Sequence, residues 1–265
     1  ASPAPAPALP AAAPSAPAAA PAAPPPAPSP SDLALPAAKY DPLSPCWRTA
    51  AAPLPYAHVA QALDALEATR SRLAKETILL NTFRAALAMK ASPLCVEALA
   101  YLLAPMKDPQ QGGHRLRPEW ADGRPLGLTH RSIVDAILEA TGAARAEWSR
   151  VHGRLRDSGA AALALRDAGG GRQRLLVQPA PLSAAGVRAS LLSLAELTGA
   201  GAERRKSEKL AACFRAARGV EIKWLVRTAL PHVAVGISLE ASVLPALGAA
   251  ALAHAAGAAA PPPPR

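Results

Sequence analysis

Between Glu203 and Arg227 the chain sets Arg204, Arg205, Lys206, Lys209, Arg215, Arg218, Lys223 and Arg227 against Glu203, Glu208 and Glu221, a net charge of +5 in 25 residues. That is half of the formal excess of +10 carried by all 265 residues. Seven of the 29 basic residues are lysines, leaving 22 arginines. A guanidinium grips phosphate oxygens in pairs, so this balance puts nucleic acid ahead of other partners. Each phosphate neutralised would steepen the log–log salt dependence of binding by about 0.9. The competing explanations are a solvated helix face and a GC-rich coding bias that enriches Ala, Arg, Pro and Gly together.

Groups that could do bond-making chemistry are poorly placed for it. The six histidines are scattered, with no HExxH pair and no nucleophile partner. The glycine run 169–171 lacks the GK[ST] ending that would cradle a triphosphate, and it reads as a loop. Cys46, Cys95 and Cys213 lie far apart and leave one over from any pairing, which supports neither a disulfide framework nor a CxxC metal site and fits a reducing compartment. No secretory signal or Arg-rich presequence is visible, though the first residue is not Met. The longest apolar runs are alanine tracts, read as too broken to cross a bilayer.

The elements that must position these charges are helices. The composition is 51% hydrophobic but only 3% aromatic, which calls for a core of Ala, Leu and Val. Thirteen of 30 prolines precede Lys39, in an Ala/Pro/Ser stretch whose only charge is Asp32, so residues 1–38 are expected to be a disordered tail. After Pro55, Val59, Leu63 and Leu66 share a helical face; Leu73, Leu80, Phe83 and Leu87 mark a second helix. Ser92-Pro93 opens a third with Val96, Leu99 and Leu103, and Thr129 a fourth that runs through Ile133 and Ile137 to a stop at Gly142. Ser183 starts a helix carrying Val187, Leu191, Leu194 and Leu197. From Glu203 to Ala217 the apolar stripe is Leu210, Cys213, Phe214 and Ala217, with Arg204, Arg205, Lys209 and Arg215 elsewhere. A last helix from about Ser238 contains Pro245, which should kink it or shift its start. Period-two alternation is confined to "RQRLLVQ".

Taken in order, "KYDPLSPCW", "PYAHVAQALDALEATRSRL", "DPQQGG", "HRSIVDAILEATG", "PLSAAGVRASLLSLAELTG" and "ERRKSEKLAACFRAARGVEIKWLVRTALPHVAVG" resemble the N-terminal DNA-binding domain of eukaryotic-type ATP-dependent DNA ligases, the replicative ligase in particular. The likeness runs from Lys39 to about Ala255. It implies an all-α domain over residues 39–257, truncated at its C-terminal end, followed by a Pro-rich end at 258–265. It also implies a monomer that lies along the minor groove of nicked double-stranded DNA, reading shape and phosphate without base contacts, with no membrane partner. The parent would be a nuclear enzyme of replication, repair and recombination, with a plastid or mitochondrion as the alternative address.

On this resemblance Arg72 matches a basic DNA-contacting position, and the segment His232, Val233, Ala234, Val235, Gly236, Ile237 and Ser238 matches a second contact segment. Lys206 lies in the basic stretch that supports it. Gly236 would let main chain approach the sugar-phosphate surface without a Cβ, and the helix start near Ser238 would offer free N–H groups to a phosphate. Trp224 and Leu225 would anchor their helix in the core, while Lys223 and Arg227 would reach the DNA backbone or hold a neighbouring helix.

The chain departs from the family in two places. A basic pair usual in the contact segment is absent from "HVAVG", and the GDxG element is "SGAAA" around Gly159. A ligase attaches AMP to the lysine of a KxDG motif; Lys39-Tyr40-Asp41-Pro42 is the only approximation, and it aligns better with the family's lead-in. ATP and Mg²⁺ are therefore implied for the parent enzyme, with no cofactor, metal or catalytic residue in this segment, which alone should not seal nicks. The alternative is a non-catalytic helical scaffold, or a degenerate ligase-like domain, without DNA affinity.

Overall fold

A computed structural model describes residues 30–44, 53–107, 114–115, 126–169, 179–230 and 233–259. Helices dominate, as expected. The first, α1 (Pro30–Leu33), already belongs to the fold. Leu33 is 1% exposed, Asn81 Nδ2 donates to the carbonyls of Leu33 and Leu35, and Arg84 donates to that of Ala37. Residues 30–38 are thus not part of a disordered tail: two polar side chains hold their main chain, and one leucine supplies the apolar anchor.

Helix α2 (Tyr56–Glu67) follows Pro55, with Val59, Leu63 and Leu66 fully buried. The Tyr56 N–H donates to Leu182 O and the Ala184 N–H to Leu54 O, which ties the start of α2 to a distant part of the chain. In α3 (Arg72–Ala88) the Ser71 hydroxyl accepts from the Ala74 N–H. The expected face is only partly right: Phe83 is buried, but Leu73 is 75% exposed, and Ile78, Leu79, Thr82 and Ala86 are buried instead. The reason is that α3 is packed on several sides, by α1, α2, the next helix and the C-terminal one, so a single stripe cannot describe it.

Ser92 caps α4 (Pro93–Leu103), with proline in the first turn, where a missing N–H costs nothing. A two-residue antiparallel pair, β1 (Met106–Lys107) with β2 (His114–Arg115), follows. α5 (His130–Thr141) has the expected Thr129 cap, doubled by Ser132, and ends on Gly142 at φ +68°. Next come α6 (Arg145–Leu155), α7 (Ser158–Ala168), capped by Asp157, α8 (Ala184–Glu196), capped by Ser183, α9 (Ala202–Ala216) and α10 (Glu221–Ala229). The chain then makes one wide turn over Leu239–Val243 before α11 (Leu244–Ala259). Pro245 has no N–H for the α ladder, and the amides of Ser242 and Val243 both reach back to Ser238 O. The start of the helix is shifted, as proline predicts.

The closest pairings are α3 with α11, α5 with α9 and α7 with α10, all around one core. Gly159 lets the last pair approach: a Cβ there would lie 2.5 Å from Lys223 O. Against the expectation that the alanine tracts are too broken, Leu239–Gly257 is by length and composition a helix apolar enough to cross a membrane. Alanine counts as apolar in hydropathy, and the wide turn over Leu239–Val243 leads directly into α11, so the two form one helical run. In this fold its first part packs on α3 through Val243, Ala246 and Ala250, and residues 251–257 are exposed.

Candidate nucleic-acid interface

Arg72 is the first residue of α3, and its side chain is 88% exposed. Among the described residues its partner is Glu76 one turn on, 2.9 Å away, an exposed pair weak enough to be exchanged for a phosphate. Beside it stands Lys75, which sequence reasoning passed over. Its Nζ donates to Val235 O at 2.6 Å, joining the first turn of α3 to residues 160 positions later. Segment 233–238 alternates: Val233, Val235 and Ile237 pack inward while Ala234, Gly236 and Ser238 face solvent. Gly236 sits at φ +67°, where a side chain is disfavoured, and a Cβ would come within 2.7 Å of Lys75 Nζ. The Ser238 hydroxyl is occupied in capping Ala241 N–H. Arg72 and this segment are therefore brought together, with Lys75 between them; His232 lies outside the described residues.

Lys206 is placed elsewhere. It is 8% exposed, and its Nζ donates to Leu126 O and Gly127 O at 3.1 and 3.0 Å. Burial lowers its pKa, with Glu203 partly opposing. Its helix, α9, packs on α5 and α8, away from the α3 turn. The signal was present in the chain: Lys206 stands four residues before Leu210 and seven before Cys213, on the inward stripe.

Trp224 is fully buried and gives its Nε1–H to Asp64 Oδ1 at 2.8 Å. Lys223 and Arg227 lie over its ring, 4.8 and 4.7 Å from the centroid. Of the two roles expected for these cations, holding neighbouring helices is the one seen. Lys223 binds Asp64 and Glu67 of α2 at 2.7 and 2.6 Å, and Arg227 bridges Glu67 (2.7 Å) to Asp157 (3.1 Å), the cap of α7. Burial works against charge on Glu67, but hydrogen bonds from Lys223 and Arg227 outweigh it and hold the carboxyl below its usual range. The same knot raises the pKa of Arg227 despite burial.

A family model described as "DNA ligase N terminus" matches residues 55–248. The chain belongs to that family. This ligase N-terminal domain is 31% identical over 219 residues to DNA ligase 6 of Arabidopsis thaliana, covering 82% of this chain and 14% of that protein. It is 30% identical over 205 residues to DNA ligase 2 of Thermofilum pendens (76% and 31%), and 26% over 201 residues to DNA ligase 1 of Saccharomyces cerevisiae (76% and 24%). It spans between 14% and 31% of the length of these relatives.

Most of the charge run that stood out in the sequence of this ligase domain is engaged internally. Arg204 pairs with Glu208, Arg215 with Glu139, and Arg205 and Arg218 donate to the carbonyls of Thr198 and Pro179. With Lys206, Lys223 and Arg227 accounted for, only Lys209 of the eight lacks a hydrogen-bond or ion-pair partner among the described residues. Lys39, in the KxDG look-alike, is exposed on a turn in which Asp41 accepts from the Leu43 N–H. Among the described residues no cluster of His, Cys, Asp or Glu could hold a metal.

Proposed function

We propose that this segment holds nicked duplex DNA for the ATP-dependent ligase of which it is the N-terminal part, gripping phosphates and minor groove without reading bases and without forming the enzyme–AMP adduct itself. The observation that supports this best is the Lys75 to Val235 hydrogen bond, which ties the first turn of α3, where Arg72 is exposed, to the segment whose exposed positions are Ala234, Gly236 and Ser238. A left-handed glycine at that edge permits close approach of main chain to a strand. His232 and Val233 belong to the same contact segment, with Val235 and Ile237 as its inward anchors. Lys206 supports the interface at a distance, by holding residues 126 and 127 to α9. ATP and Mg²⁺ would act in other parts of the parent enzyme.

Fluorescence anisotropy with a labelled nicked duplex, over a series of salt concentrations, tests the proposal. Binding is expected at low salt with a steep slope. Arg72→Ala should flatten that slope by about 0.9, one phosphate contact. Lys75→Met should weaken binding severalfold by freeing the 233–238 segment. No shift of nicked DNA at low salt would instead support a scaffold without DNA affinity, the reading favoured by the uncharged Ala234 and by the internal pairing of α9 and α10 cations. Incubation with radiolabelled ATP should leave the chain unlabelled; a labelled adduct would place the nucleotide-linked lysine within it.

A further inference from the structure

We infer that the turn between α6 and α7 is an additional phosphate-binding segment, in which Arg154 and Arg156, beside Arg70, extend the DNA track from Arg72 away from Gly236; this rests on the DNA-holding reading above. The placement follows from the knot around Arg227. A single guanidinium spans Glu67 and Asp157, so the end of α2 and the start of α7 abut. Glu67 is the last residue of α2, three positions before Arg70 and five before Arg72. Asp157 directly follows Arg156. Two turns remote in sequence thus present arginines from adjoining points on the surface.

These arginines differ from those of the α9 and α10 run. Arg70, Arg154 and Arg156 are exposed and have no hydrogen-bond or ion-pair partner among the described residues. Arg150, four residues before Arg154, continues the row on the outward side of α6, since Trp148 and Val151 face the core. The nearby acids do not cancel them: Asp64, Glu67 and Asp157 are shared between Lys223 and Arg227. Arg156 also holds φ +56° as the cap of α6, a left-handed conformation in which a β-carbon costs of order 1 kcal/mol and glycine is the favoured occupant. A long cation kept at a glycine position, unpaired and beside a second arginine, is what an anionic strand would select.

The left-handed backbone supplies a clean variant. Arg156→Gly removes the charge while suiting the turn, so the pair Arg154→Gln with Arg156→Gly should melt no lower than the unaltered chain. Arg154→Gln alone, at an exposed helical position, guards against an unforeseen folding defect in the double variant. With the labelled nicked duplex at about 50 mM salt, the double variant should bind about tenfold or more weakly. Its log–log salt slope should fall by about 1.8, two contacts of about 0.9, and by about half of that for Arg154→Gln. If the unaltered chain binds and Arg72→Ala weakens it, but both α6–α7 variants keep the original affinity and slope, the inference is overturned and the DNA-holding reading stands. If the unaltered chain fails to bind at low salt, both fall.

Discussion

Gly153 and Gly159 lie six residues apart on successive helices, and replacing each by alanine should move stability in opposite directions. Glycine in a helix is up to about 1 kcal/mol worse than alanine, so propensity favours both changes. What a Cβ would meet decides otherwise for one of them. At Gly153, on the outer side of α6, nothing lies within 4 Å, and Gly153→Ala should gain most of the propensity term, raising the melting temperature by roughly 1 to 3 °C in a chain of this size. At Gly159 the Cβ would be 2.5 Å from Lys223 O and 2.9 Å from Arg227 Cγ. The arginine methylene can turn aside, but a carbonyl inside α10 cannot move without its helix. Opening the α7–α10 contact would also stretch the Arg227 to Asp157 bond. Overpacking of this kind costs about 1 to 3 kcal/mol, and the loosened ion pair adds to it. A net loss of about 2 to 3 kcal/mol corresponds to a melting temperature lower by roughly 4 to 12 °C. Thermal denaturation followed by circular dichroism at 222 nm reads both variants. A Gly159→Ala chain melting at or above the unaltered protein would refute the close approach of α7 to α10 and, with it, the geometry assigned to the charge knot.

Two further outcomes concern buried polar groups. Lys206→Met should lower stability by about 1 to 3 kcal/mol in urea titration, because the carbonyls of Leu126 and Gly127 lose a charged donor, yet leave the salt slope of DNA binding unchanged; a flatter slope would mean that Lys206 touches phosphate. His58 is buried, its Nε2 3.0 Å from Thr82 O, and burial lowers its pKa from the ordinary 6.5 despite that hydrogen bond. The unfolded chain then takes up a proton below pH 6.5 that the folded chain refuses, so this contribution is present above that pH and is lost as pH falls toward the folded pKa. Glu221, raised by burial, acts in the opposite sense nearer the carboxylate range, so the difference between the unaltered chain and His58→Gln across pH 5 to 7 isolates the histidine; equal pH dependence in the two would refute the assignment.

Local grammar was enough for much of the fold. Thr129 and Gly142 bracket α5 because a cap hydroxyl and a left-handed glycine each answer a requirement of the helix end itself. Pro245 likewise announced the shifted start of α11. Helix α7 escaped notice because "SGAAALALRDA" packs by small residues against α10, and closeness of that kind leaves no stripe of large side chains to count. Residues 30–38 were misjudged from composition, since one buried leucine and the reach of Asn81 and Arg84 hold them, and neither is visible in an Ala/Pro-rich stretch. For the interface, Arg72 and the 232–238 segment came from resemblance. Lys75 did not, because its partner lies 160 residues away and the contact is with main chain, which no side-chain pattern records.

Charge density along the chain also proves a poor guide to the surface a polyanion would meet. The run from Glu203 to Arg227 stands out because eight cations crowd into it, yet packing of its helices brings most of them, Lys209 and the exposed Arg204 excepted, against the carboxylates and carbonyls of their neighbours. Lys223 and Arg227 serve the duplex, on this view, by neutralising Asp64, Glu67 and Asp157 and by locking the ends of α2 and α7 side by side. Among the described residues, Arg70, Arg150, Arg154 and Arg156 are unpaired and Arg72 is held only by an exposed pair with Glu76; they are thinly spread in sequence, and the knot brings the turns that carry them to adjoining places. Breaking the knot should therefore weaken DNA binding through the arrangement of the α2 and α7 ends that it holds. Neutralising the free arginines should do so without disturbing the knot. The two effects differ in kind: the first lowers stability together with affinity, while the second flattens the salt dependence at constant melting temperature.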